Sequence, residues 1–151
     1  LGIGKIKKAP GTFASLLTTI LLFLFFHILD VPSNIIAFVI VVIFLYSFYA
    51  INNFTKDLTN KDPKEIVIDE VIGQSIPLYL YEISHNTAKD FDNSLKFYLL
   101  IFVLFRFFDI VKPFPVNYFD KKFKNSFGVI MDDVSAGLYV VLVLILYMII
   151  T

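Results

Sequence analysis

Four long apolar runs constrain this chain more than any other feature. They are Phe13–Leu29, Ile35–Ile51, Leu95–Phe108 and Val134–Ile150. Each is a little shorter than the roughly 20 residues that cross a hydrocarbon core straight, and flanking Tyr, Lys and Thr fill out the borders. A fifth run, Val71–Tyr81, is shorter still and contains Gln74 and Pro77. Inside lipid a backbone must satisfy its own amides, so the runs are read as helices. With 58% hydrophobic residues in 151, the chain has room for one membrane-embedded domain, residues 1–151. The expected fold class is all-α, an integral membrane helical bundle of about five segments. There is no cysteine, which excludes a disulfide framework, a Cys-ligated metal and a Cys nucleophile. Thirteen basic residues balance thirteen acidic ones, so no global basic field suits nucleic acid. No small-residue cleavage site follows Phe13–Leu29, so this run is expected to stay as a span, and the start at Leu1 leaves room for a few further N-terminal residues.

Cap and turn chemistry divides the runs. Segment one, Phe13–Leu29, is entered through Lys8-Ala9-Pro10-Gly11-Thr12 with Thr12 as N-cap, and Asp30–Asn34 forms a turn. Segment two is Ile35–Ile51, followed by polar Asn52–Lys64. Segment three runs from about Glu65 to Tyr81, and polar Glu82–Ser94 follows. Segment four, Leu95–Val111, is stopped by Lys112-Pro113-Phe114-Pro115. Tyr118–Lys124 is read as a short surface helix, and segment five runs from Asp132 to the C-terminus. Suppose all five cross, with a cytoplasmic N-terminus. Lys5, Lys7, Lys8, Lys56, Lys61, Lys64, Lys112, Lys121, Lys122 and Lys124 then lie inside, while the outer loops hold Asp30, Glu82, Lys89, Asp90 and Asp92. That distribution obeys the positive-inside rule, which fails if segment three does not cross. In this topology the polar residues of four segments collect at the cytoplasmic helix ends.

Two of those polar groups match. Asp69-Glu70-Val71-Ile72-Gly73 and Asp132-Asp133-Val134-Ser135-Ala136-Gly137 each place two adjacent acids three to four residues before very small side chains. Small residues at that spacing let membrane helices approach closely, so packing through Gly73, Ala136 and Gly137 would bring four carboxylates together. Such like charges need a cation to stay ionised, and an oxygen-seeking ion such as Mg2+ is the natural partner. Acids at a helix start also complement the dipole, and Asp132 would serve as an N-cap. Arg106 is the only arginine, and Asp109 at i+3 can pair with it. It reads either as a structural ion pair or as a planar fork for phosphate oxygens, with Lys112 one turn on. Gly11, Thr12 and Ser15 open segment one, where free N–H groups either receive an anion or are simply capped. The two histidines, His27 and His85, lack metal-ligand spacing. The 18 Phe and 8 Tyr are read as lipid-facing packing and interface anchors.

Taken in order, four stretches carry a resemblance. They are Lys8–Thr12 with Ser15, then Asp62 with Ile66–Gly73, then Arg106–Pro115, then Gly128 with Asp132-Asp133 and Ala136-Gly137. Over nearly its whole length the chain resembles the phosphatidylglycerophosphatase A family. The resemblance implies a Mg2+-dependent lipid phosphatase of the bacterial inner membrane, converting phosphatidylglycerophosphate to phosphatidylglycerol and phosphate. On that reading Asp69, Glu70, Asp132 and Asp133 hold the metal, and Arg106 and Lys112 neutralise the phosphate. Lys8, Gly11, Thr12 and Ser15 add to phosphate binding, and Asp62 and Asp109 orient ligands or act as base. The partners expected are a phospholipid substrate and the membrane. A non-enzymatic cation or proton carrier is the alternative, and it requires acids spread through the bilayer depth.

Overall fold

The computed structural model describes residues 3–6, 8–56, 65–84, 91–123 and 125–150, and all regular structure among them is helical. A short 3-10 turn, Ile3–Lys5, precedes six α-helices: α1 Pro10–His27, α2 Ser33–Thr55, α3 Ile68–Ser84, α4 Phe91–Val111, α5 Val116–Lys122 and α6 Ser126–Ile150. Asp62 and His85 lie outside the described residues.

Several boundaries differ from the expected ones for local reasons. α1 starts at Pro10, whose fixed φ suits a first turn and whose missing N–H is not needed there. Ala9 takes the cap position in the left-handed region at φ 50°, so Thr12 stands inside the helix rather than at its N-cap. α6 starts at Ser126, not Asp132. Asn125 Oδ1 accepts the Gly128 N–H at 3.1 Å, which is the capping bond expected from Asp132. Asp132 and Asp133 therefore sit well inside α6, nearly two turns from its start. α3 continues to Ser84, so Glu82 belongs to the helix and not to a loop. α4 begins at Phe91 rather than Leu95, and the short helix is Val116–Lys122, anchored by fully buried Val116.

The five long helices alternate in direction. Gly11 of α1 lies against Glu70 of α3 at one end, and His27 meets Glu82 at the other. Phe23 and Phe91 pack near that far end, so α4 starts there and returns. Ile51 of α2 joins Ile72, Val129 and Ile130 in an apolar cluster beside the acids. The larger core, including Leu78, Tyr98, Ile101, Phe105, Ala136 and Val140, fills the space between α3, α4 and α6.

α3 is central and packs most extensively on α6. A Cβ on Gly73 would lie 2.6 Å from the Asp133 carbonyl oxygen, and a Cβ on Gly137 would run into the Gly73 carbonyl. The two backbones thus meet through the small residues that the sequence pattern indicated, with Ala136 fully buried beside them. Outside, α2 exposes Phe38, Leu45 and Tyr49 by 69%, 63% and 67%. Apolar surface on this scale marks a face that meets a membrane or a partner. Among the described residues α1, α2 and α6 are long and apolar enough to cross a membrane.

Candidate functional site

The site forms where the beginnings of α1 and α3, the end of α4 and the second turn of α6 meet. Asp69 and Glu70 open α3, and Asp133 comes from α6. One carboxylate oxygen from each of Asp69, Glu70 and Asp133 lies within 4.8 Å of the other two. The approach of α6 over Gly73 explains this. The Asp133 backbone is itself the surface against which Gly73 packs, one turn along α3 from Asp69, so the Asp133 carboxylate is held near the two acids of α3. Asp69 and Asp133 are buried and Glu70 is half-buried.

Asp132, the fourth expected metal ligand, is engaged elsewhere. Lys112 Nζ donates to Asp132 Oδ2 at 2.8 Å, tying the end of α4 to α6, and Asp132 Oδ1 accepts the Asp133 N–H at 3.0 Å. Lys112, expected at the phosphate, thus has a carboxylate in contact. Arg106 Nη1 lies 2.6 Å from Asp109 Oδ2, the i,i+3 pair expected along α4. Asp109 lies within electrostatic range of Glu70, Asp132 and Asp133, and Arg106 within range of Glu70.

The start of α1 closes the site from the side. A Cβ on Gly11 would collide with Glu70 Oε1, so only glycine admits that carboxylate against the helix. The positive end of α1 therefore faces Glu70. Ser15 is fully buried and donates its hydroxyl to the Gly11 carbonyl at 2.9 Å, so its O–H is spent within α1. Thr12 is half-buried and Lys8 is exposed just before the helix.

Two unmet polar needs mark what the site can bind. Glu70 Oε2 is buried without a hydrogen-bond partner, beside two further carboxylates. Arg106 Nε is buried without an acceptor. Buried polar atoms of this kind ask for a ligand, because leaving them bare costs about 1–3 kcal/mol each. An all-oxygen anionic donor set fits a hard divalent cation, and an unfilled guanidinium edge fits an oxyanion.

Two features were not anticipated as part of any site. Gln74 is fully buried, and neither amide atom has a hydrogen-bond partner. Its i+4 spacing from Glu70 within an apolar run was the available signal. At the far end, His27 Nε2 lies 3.0 Å from Glu82 Oε1, a contact between residues 55 apart in sequence.

An all-helical bundle with an apolar exterior, and with clustered carboxylates and a half-buried arginine at one end, is the architecture of a membrane-embedded protein whose polar site suits a cation and an oxyanion. The family model for phosphatidylglycerophosphatase A matches residues 1–148. A Haemophilus influenzae protein named phosphatidylglycerophosphatase A is 40% identical over 142 residues, covering 94% of this chain and 80% of that one. A Bacteroides thetaiotaomicron protein, named provisionally as a phosphatidylinositol-3-phosphatase, is 34% identical over 91% of this chain and 82% of its own length. The Escherichia coli phosphatidylglycerophosphatase A is 29% identical, over 90% and 72%. No solved structure matches. The chain belongs to the phosphatidylglycerophosphatase A family and is a lipid phosphatase of the membrane.

Proposed function

We propose that this protein removes the terminal phosphate of phosphatidylglycerophosphate, at the cytoplasmic face of a bacterial inner membrane crossed five times, with Mg2+ as cofactor. The observation that carries the reading is the Asp69–Glu70–Asp133 cluster beside Arg106 at one end of an apolar bundle. The names of two relatives support the substrate, and the lysine distribution supports the orientation. Asp69, Glu70 and Asp133 would hold the ion. When bound, it supplies Lewis-acid neutralisation of phosphoryl oxygens. Arg106 supplies a planar donor edge for the phosphate, and Asp109 fixes its orientation. Lys112 and Asp132 brace α4 against α6. Asp62 and Asp109 would orient ligands or act as base for attacking water. A lipid headgroup then reaches the site from the interface while its tails stay in the apolar phase, which is why such an enzyme is built from membrane helices. The carrier alternative needs acids through the bilayer depth, and these gather at one end.

The test gives purified protein in micelles three substrates: phosphatidylglycerophosphate, phosphatidylinositol 3-phosphate and glycerol 3-phosphate. Phosphatidylglycerophosphate is expected to be hydrolysed at least about tenfold faster than either, roughly 1.4 kcal/mol of selectivity. Equal rates on the first two would contradict the substrate, and no phosphate release from any would contradict the activity.

A further inference from the structure

From Val71 and Ser75 toward the far end of the bundle, α1, α2 and α3 enclose an apolar groove of about 300 Å³ that the catalytic chemistry does not use. Its walls include Thr18, Leu22, Ile36, Ile40, Val71 and Ser75. We propose that this groove receives one acyl chain of the substrate and sets the acyl-chain dependence of turnover. The inference rests on the lipid-phosphatase reading above.

Continuity with the site is the first argument. Val71, one residue after Glu70 in α3, belongs to its lining, and its α1 and α2 walls begin at Thr18 and Ile43, about 10–12 Å along those helices from Gly11 and Ile51 at the acid end, a gap that a phosphorylated headgroup spans. From there it follows the helices away from the acids. Along α2 alone its wall runs from Ile35 to Ile43, about 12 Å at the rise of an α-helix. A phospholipid whose phosphate sits at the carboxylates must lay its chains in that direction. Surface chemistry is the second argument. The two hydroxyl residues of the lining do not make it polar. Thr18 donates to the Ala14 carbonyl at 2.9 Å and Ser75 to the Val71 carbonyl at 2.6 Å, each within its own helix. What they present to the groove is small apolar bulk, which is the lining a hydrocarbon chain needs. The third argument is exclusion of the other large cavity. That one, about 380 Å³, lies at Tyr81–Ser84 and Leu144–Met148, near the far ends of α3 and α6. Tyr81 is about 16 Å along α3 from Glu70, so a tail would have to pass the whole core before reaching it.

The experiment fills the groove and compares chain lengths. Ser75→Phe adds a ring to the inner wall. Val39→Trp adds one from the lipid-facing side of α2, where Val39 is 47% exposed and little packing is disturbed. Turnover of dihexanoyl and dipalmitoyl phosphatidylglycerophosphate is measured for wild type and both variants, with folded yield recorded. The expected result is a fall of at least tenfold in the dipalmitoyl-to-dihexanoyl ratio of kcat/KM in a folded variant, with the dihexanoyl rate kept within twofold. An unchanged ratio in folded Val39→Trp would overturn the proposal. So would an equal loss on both substrates, as a structural lipid in the groove would give. A disulfide between protomers carrying Val39→Cys would assign the groove to a second copy and overturn it too. Failure of the wild type on both chain lengths would refute the lipid-phosphatase reading itself, a different outcome from a failed ratio.

Discussion

Replacing Gly73 with alanine would place a methyl carbon 2.6 Å from the carbonyl oxygen of Asp133 and 2.8 Å from Cε2 of Phe105. The Phe105 ring can turn aside, but the Asp133 carbonyl is helix backbone. An ordinary contact begins at 3.4 Å, so α3 and α6 must separate by about 0.8 Å. Two effects on stability oppose each other. Alanine gains about 1 kcal/mol over glycine in a helix interior. Overpacking a tight contact costs about 1–3 kcal/mol, so the net change is a loss of up to about 2 kcal/mol. The effect on chemistry is larger, because the contact that opens is the one that holds Asp133 to Asp69 and Glu70. A displacement near 1 Å lowers rate by about a hundredfold in well-positioned sites, so Gly73→Ala is expected to lose about 10–100-fold in kcat. Gly137→Ala should follow the same direction, since its Cβ would meet the Gly73 carbonyl. The assay is phosphate release in micelles alongside thermal unfolding of the same preparation. Wild-type turnover with a raised unfolding temperature in Gly73→Ala would refute the reasoning, because it would mean that the helices do not meet at this point.

Arg106→Lys keeps the charge beside Asp109 but loses the planar fork, and is expected to fall at least about tenfold in rate, roughly 1.4 kcal/mol, with normal folded yield. Near-normal turnover of the Lys variant, with low yield of Arg106→Ala, would make Arg106 a structural ion pair. His27→Ala removes a hydrogen bond to a buried carboxylate at the far end, and should cost about 1–3 kcal/mol of stability in detergent unfolding while leaving kcat within about twofold. A large rate loss at unchanged stability would place the far end in the catalytic cycle. Single cysteines at positions 61, 89 and 122 report sidedness through an impermeant thiol reagent, and only position 89 should be labelled in cells with a permeable outer membrane. Labelling at 122 but not 89 would mean that α3 does not cross.

The sequence carried the central contact because its pattern is local. Acid pairs followed by Gly73 and by Ala136-Gly137 state both which face of each helix packs and what lies above it. The Arg106–Asp109 pair was legible for the same reason, being i,i+3 on one helix. The partner of Asp132 was not. Lys112 reaches it across the α5 turn, twenty residues away, and no local spacing distinguishes Asp132 from Asp133. That division of the four acids into a cluster of three and an ion pair is a tertiary fact. The start of α6 was hidden because Asp132 is a good capping residue, while Asn125, which makes the capping bond, lies in a stretch with Ser126 and Gly128 that reads as a turn. His27 and Glu82 looked unrelated because each lies in a different segment, and only the parallel course of α1 and α3 brings them together.

The claim that Asp69, Glu70 and Asp133 form a Mg2+ site is tested most directly by phosphate release in excess chelator, followed by Mg2+ titration of wild type and Asp133→Asn. Asparagine keeps the shape of the side chain and removes one negative charge from the cluster. Chelation is expected to abolish release and Mg2+ to restore it. Asp133→Asn should raise the Mg2+ concentration for half-maximal activity at least about tenfold, or roughly 1.4 kcal/mol. Full turnover in chelator, or an unchanged Mg2+ requirement in Asp133→Asn, would contradict it.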